Sequence, residues 1–110
     1  MIRLTILVCF PREDEQVPVD WERETRELIH LPGVEEVFWG QNYQGEANYD
    51  AVAMIDFKNE RAYHRAQENE EYLEWFREIS KSEGFACLCT EIEEDEAPHR
   101  LLCNEYPAAE

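Results

Sequence analysis

Ile2-Arg3-Leu4-Thr5-Ile6-Leu7-Val8-Cys9-Phe10 is the stretch on which the fold turns. Ile2, Leu4, Ile6, Val8 and Phe10 fall on one face at period two, and β-branched residues are frequent, so residues 2–10 predict a strand. Its other face carries Arg3, Thr5, Leu7 and Cys9, which is mixed rather than charged. Such a strand needs full cover on one side and partial cover on the other.

Downstream, residues 11–17 form a polar loop opened by Pro11. Trp21, Thr25, Leu28 and Leu31 recur at helical spacing, Asp20 suits an N-cap, and Pro32-Gly33 is a stop, which predicts a helix over 19–31. Residues 34–43 predict a second strand with Val37, Phe38 and Trp39 at its centre. A turn at 44–48 leads into a third strand over 49–57, and the short loop makes the two an antiparallel hairpin. Asn59 can cap a helix running from Glu60 to Lys81, with the polar stretch 67–71 as its one weak point. Gly84 turns the chain into a fourth strand over 85–92.

The order βαββαβ, with right-handed crossovers, predicts an α+β, ferredoxin-like fold. It is a four-stranded antiparallel sheet with both helices on one face. The other face then lacks cover, and exposed apolar surface costs about 25 cal/mol per Å². Two copies packing sheet to sheet remove that cost, so a homodimer is expected. Residues 1–92 make up the domain, and residues 93–110 form an acidic and apolar tail expected to pack on the body or the partner copy.

The chain has 110 residues and a formal net charge of −16, from 26 acids and 10 bases. That sign repels phosphate backbones and anionic headgroups, so neither nucleic acid nor membrane is an expected partner. No basic region followed by a long apolar run opens the sequence, and no run approaches the length of a spanning helix, so a cytoplasmic chain is expected. There Cys9, Cys87, Cys89 and Cys103 are expected as thiols rather than as a disulfide framework.

Several stretches resemble the dimeric α+β barrel superfamily, and within it the stress-responsive A/B barrel (Dabb) family. They are Met1-Ile2-Arg3, Pro32-Gly33-Val34, Tyr49-Asp50-Ala51-Val52-Ala53-Met54, Phe57-Lys58-Asn59-Glu60-Arg61-Ala62-Tyr63 and Tyr72-Leu73. The resemblance spans residues 1–92 and implies a homodimer with a small apolar chamber and no cofactor. Cyclase-like members of that family use a strand-one His, and a Tyr with one or two His around the second helix, for acid–base chemistry. Tyr63 matches that Tyr, whereas Leu4, Ala66 and Asn69 occupy the histidine positions.

Candidate site residues follow. Tyr63 and His64 on the second helix are the candidate catalytic pair, since a neutral-range imidazole beside a phenol can move a proton. The plain alternative for His64 is a solvent-facing position about 100° round the helix from Tyr63. Trp39, Gln41, Tyr43 and Asp50 on the hairpin are candidate substrate contacts for a small apolar or aromatic ligand, with core or dimer packing as the alternative. Cys87 and Cys89 share a strand face and Cys9 can lie near them, but no fourth ligand is spaced for a metal, and none is expected. The acidic run 91–96 lacks the pattern of a calcium loop.

Three functions stay open. The first is a cofactor-free cyclase, isomerase or lyase acting on an aromatic or polyketide-like compound. The second is a non-catalytic stress-type or ligand-binding oligomer. The third is a cofactor-independent monooxygenase, with Trp39 and Asn42 as its support.

Overall fold

The computed structural model describes residues 1–10, 16–43, 48–82 and 84–92. Strand β1 spans Ile2–Val8 and is followed by helix α1, Gln16–Glu27, and a 3-10 turn at Leu28–His30. Strands β2, Val34–Gln41, and β3, Ala51–Phe57, form the hairpin. Helices α2, Glu60–Ala66, and α3, Glu70–Ile79, lead to strand β4, Ala86–Glu91. The strands form one sheet in the order β2-β3-β1-β4, and every neighbouring pair is antiparallel. The expected ferredoxin-like α+β fold is present.

The strand register sorts the residues of each face. Leu4 lies opposite Ile55 and Cys89, and Ile6 opposite Ala53 and Cys87. Leu4, Ile6, Val8, Ile55 and Phe57 are buried against the helices together with Trp39 from β2. The uncovered face carries Arg3, Thr5 and Leu7 from β1, Val52, Met54 and Asp56 from β3, Phe38 and Gly40 from β2, and Leu88 from β4. Phe38 and Trp39 therefore lie on opposite faces, as alternation requires.

Three sequence expectations need correction. Helix α1 begins at or before Gln16, so Asp20 lies inside it rather than capping it, and its carboxylate accepts from Arg23 Nη2 at 3.4 Å. The helix expected over 60 to 81 ends at Ile79 and divides within the polar stretch that marked its weak point, because the segment 67–69 leaves the helical path. Asn59 caps α2 by accepting from the Ala62 N–H at 2.8 Å, and Asn69 caps α3 by accepting from the Tyr72 N–H at 3.0 Å. Two good N-caps ten positions apart favour two starts over one continuous helix. The hairpin strands are also shorter than expected, ending at Gln41 and starting at Ala51.

Gly33 holds the turn between α1 and β2 with φ of +86°, and a Cβ there would collide with Ala62. That position needs glycine twice over, for its dihedral and for the close approach of α2. The buried Thr25 hydroxyl accepts from Trp75 Nε1 at 2.8 Å, which fixes α1 against α3. No helix among the described residues is long and apolar enough to cross a membrane. The tail, residues 93–110, most of the hairpin turn and residues 11–15 lie outside the described residues.

Candidate functional site

The chemistry-bearing side chains of the helix side gather at its β4 edge. Phe57, at the end of β3, is the anchor. Tyr63 packs on it edge to face at 5.3 Å between ring centroids, and Tyr72 does so at 6.2 Å. Tyr72 stacks on Phe76 at 6.2 Å, and Phe76 meets Phe85 edge-on at 5.7 Å. The result is a continuous line of rings from α2 through β3 and α3 to the entry of β4. Alternation on β4 then turns Cys87 and Cys89 to this same side, and both thiols are free and exposed.

The hydroxyls of the two tyrosines are perturbed in one direction. Burial raises the pKa of Tyr63, and a hydrogen-bonding interaction with Cys89 and the charges of Cys89 and Cys87 raise it further. Tyr72, almost fully buried, is pushed up to about 12, chiefly by burial. Gln67 Nε2 donates to the Tyr72 hydroxyl at 3.3 Å, which acts in the opposite direction. Burial also pushes the Cys87 thiol up. Both phenols stay protonated at neutral pH; Tyr72 is closed inside the core, and the half-buried Tyr63 is the one that can donate to an oxygen that gains negative charge.

The candidate catalytic pair divides. The rings of Tyr63 and His64 lie 5.6 Å apart, but their settings differ. Tyr63 is half-buried with its ring against Phe57, whereas His64 is exposed with Nε2 3.5 Å from Glu60 Oε2. The four hairpin candidates also separate. Trp39 is buried on the helix side, and among the described residues its Nε1 has no hydrogen-bond partner. Gln41 is exposed at the end of β2 and borders an open cleft of about 300 Å³ with Leu7, Gly40, Asn42, Tyr49 and Val52. Tyr43 is 98% exposed. Asp50 joins β1 to the hairpin: its Oδ2 accepts from the Phe10 N–H at 2.7 Å and its N–H donates to the Val8 carbonyl at 2.8 Å.

Tyr72 and Gln67 were absent from the sequence candidates, and Cys89 was weighed only with Cys87 and Cys9 as a set of metal-binding thiols. Tyr72 reads as core because it falls on the apolar face of its helix. The signal for Cys89 was its alternation with Cys87 on a strand that pairs with β1. Cys9 does not join them. It lies beyond the β1–β4 pairing, on the opposite parity, and its thiol donates to the Asn48 carbonyl at 3.1 Å. Among the described residues no three His, Cys, Asp or Glu side chains are grouped to hold a metal ion.

No protein-family model matches the sequence, and no curated protein does. Solved structures match over most of the chain. Hydroxynitrile lyase from Passiflora edulis superposes with a TM-score of 0.73 at 16% identity, covering 87% of this chain and 96% of that one. A Dabb family protein with a ferredoxin-like fold from Mesorhizobium loti gives 0.68 at 14% identity, covering 84% and 96%. What the chain shares with that protein is the ferredoxin-like fold. A dimeric ferredoxin-like protein of unknown function from Thermobifida fusca gives 0.70 at 14% identity, covering 83% and 90%. At these identities the likeness extends to the Dabb-like fold and leaves the chemistry to this chain's own residues.

Proposed function

We propose that this chain is a small-molecule enzyme that works without a cofactor on an aromatic or polyketide-like carbonyl compound, in a cyclase, isomerase or lyase type of reaction. One observation carries the reading: the half-buried Tyr63 and the buried Tyr72 both pack on Phe57, with their phenols raised by burial, on the side of the sheet to which the exposed Cys87 and Cys89 turn. Such a site polarises a carbonyl by donating to its oxygen, and the rings hold a flat substrate. Tyr63 is the proposed acid, and His64, one position along the same helix, is the proposed proton carrier to solvent. The hairpin end, with Gln41, Tyr43 and Asp50 at the surface and Trp39 packed under the sheet, lies at the other end of the strands from Phe57 and is proposed as a separate ligand-contact end. A hydroxynitrile lyase with the same fold supports a lyase-type reaction.

The enzyme works as a homodimer in this reading. Phe38 is 40% and Leu88 62% exposed on the face away from the helices, beside the half-buried Leu7, Val52 and Met54. The charged strand residues on that face are Glu36 and the Arg3–Asp56 ion pair, in a chain with a net charge of −16. An apolar, nearly neutral patch on an acidic surface suits a second copy, and the Thermobifida fusca neighbour is described as dimeric. A cytoplasmic setting keeps the thiols reduced.

The test is turnover of a panel of aryl ketones, β-polyketide esters and cyanohydrins by the wild type, Tyr63→Phe and His64→Ala. Loss of at least tenfold in kcat with Tyr63→Phe is expected. Unchanged turnover in both variants rejects the assignment. A second reading, a non-catalytic ligand-binding oligomer, draws on the filling of the helix-side interior by Trp39, Phe57, Tyr72 and Trp75. It predicts ligand binding without turnover on the same panel.

A further inference from the structure

The uncovered face of the sheet has a relief of its own. Register sets its side chains in rows across the strands. The row Phe38–Met54–Thr5–Leu88 is a ridge, with Phe38 40% and Leu88 62% exposed at its two ends. The next row toward Gln41, Gly40–Val52–Leu7–Ala86, is a trough with small residues at both ends. Gly40, Val52 and Leu7 border the open cleft of about 300 Å³. On the other side of the ridge lies the charged row Glu36–Asp56–Arg3–Thr90. Among the described residues nothing requires glycine at 40: its φ is not positive, and an added Cβ would meet Val52 Cγ1 at an ordinary 3.5 Å. A glycine inside a strand weakens it and often marks a place where another surface comes close.

We propose that two copies of this chain pair with Phe38 of each seated over Gly40 of the other, in the cleft that Val52 and Leu7 border. This rests on the proposed homodimer and deepens it by fixing the axis and the central contact. A twofold axis makes every contact reciprocal. With the axis crossing the strands between ridge and trough, level with Trp39, Ala53 and Ile6, each ridge enters the other copy's trough. The charged rows then fall at the rim, where water reaches them. An axis one step toward the charged row presses Phe38, Met54 and Thr5 onto Glu36, Asp56 and Arg3 and strips those charges of water. An axis along the strands sets β2 over the other copy's β4, which stacks Phe38 on Leu88 and leaves Gly40 facing Ala86 across a gap. Its one gain, Arg3 over the other copy's Asp56, repeats a pair that each chain already makes.

The full-length wild type, Phe38→Gly, Gly40→Phe and an equal mixture of the two variants are compared by sedimentation equilibrium. Each variant alone is expected to self-associate roughly tenfold or more weakly than the wild type, the loss typical of a central aromatic contact. The first variant leaves the trough empty, and the second sets ring against ring. The mixture is expected to regain the wild-type affinity to within about threefold, since the two changes are coupled through one contact. One chain then carries both rings and the other both gaps, so both contacts of Phe over Gly form again. Rescue in the mixture also shows that both variants fold. Where circular dichroism shows either one unfolded, Phe38→Ala and Gly40→Leu take their places. A mixture that stays as weak as its components, or undiminished self-association of Gly40→Phe, overturns this pairing and leaves a homodimer of another register. A wild type that stays monomeric overturns the homodimer and this pairing together.

Discussion

The two faces of β1 are built to different standards. Leu4, Ile6 and Val8 are buried under the helices, while Arg3, Thr5 and Leu7 on the other face are only half covered. The first set closes a core within one chain, where each side chain meets rotamer-fixed neighbours. The second set presents a level apolar patch with one ion pair. A face of that kind contributes little to the single chain and much more once covered. The difference separates what folds the chain from what pairs it.

Truncation is the strongest test of that contrast. Ile6→Ala removes a fully buried side chain with no room for collapse, so it should destabilise the fold by about 4 kcal/mol in denaturant titration. Leu7→Ala, one residue along, should cost about 1 kcal/mol in the same titration at low protein concentration. A comparable loss in both would show that the uncovered face is already part of the single-chain core.

The helix-side face carries a second signature, in alkali. The phenol of Tyr72 titrates near its ordinary 10.0 when unfolded and at about 12 when folded. Between those values the unfolded chain holds fewer protons, so stability falls as pH rises through this window. Two units correspond to a loss of about 3 kcal/mol, complete above pH 12. Tyr72→Phe should flatten the decline between pH 10 and 12 when melting is followed by circular dichroism. A decline of the same slope in the variant would move its origin to other groups.

On the uncovered face the ion pair is the element to break. Arg3 Nε donates to Asp56 Oδ1 at 2.7 Å and Nη2 to Oδ2 at 3.0 Å, and the Asp56 side chain is only 4% exposed. Asp56→Asn keeps the shape and leaves a guanidinium facing a neutral amide. A cost of about 2 kcal/mol is expected, from the loss of two charge-assisted bonds. Asp56→Leu with Arg3→Met should recover most of it, since apolar replacement of both partners removes the desolvation penalty along with the pair.

Much of this layout was legible in the sequence, and the exceptions have physical causes. Alternation placed the β1 and hairpin residues on their faces, because a strand has only two directions for a side chain. The polar stretch 67–71 marked where the helix divides, but Gln, Glu and Asn permit a helix, and the decisive element is the Asn69 cap. Asp20 looked like a cap because its residue type fits that role, and only the earlier start of α1 excludes it. The site was harder to read. Tyr63 is legible as a residue type in the sequence, but its ring neighbour Phe57 ends β3 and also receives Tyr72 from α3, a meeting that only the packing of both helices on the sheet produces. Single-element reasoning finds residues of the right type, and topology alone decides which of them meet.

The smallest expected effect concerns charge across the paired faces. Each chain carries −16, and little of that charge sits on the uncovered face itself, where Glu36 and the Arg3–Asp56 pair are the charged strand residues. Two copies approaching through this face therefore repel over distance while meeting few opposed charges in contact. Raising the salt from about 0.1 to 1 M shortens the screening length from roughly 10 to 3 Å and should tighten self-association roughly tenfold in sedimentation equilibrium. Leu88→Glu places a charge on the most exposed large apolar side chain of this face and should abolish association at either salt. Association that weakens with salt, or that survives Leu88→Glu, would transfer the pairing from this apolar face to charged contacts elsewhere on the chain.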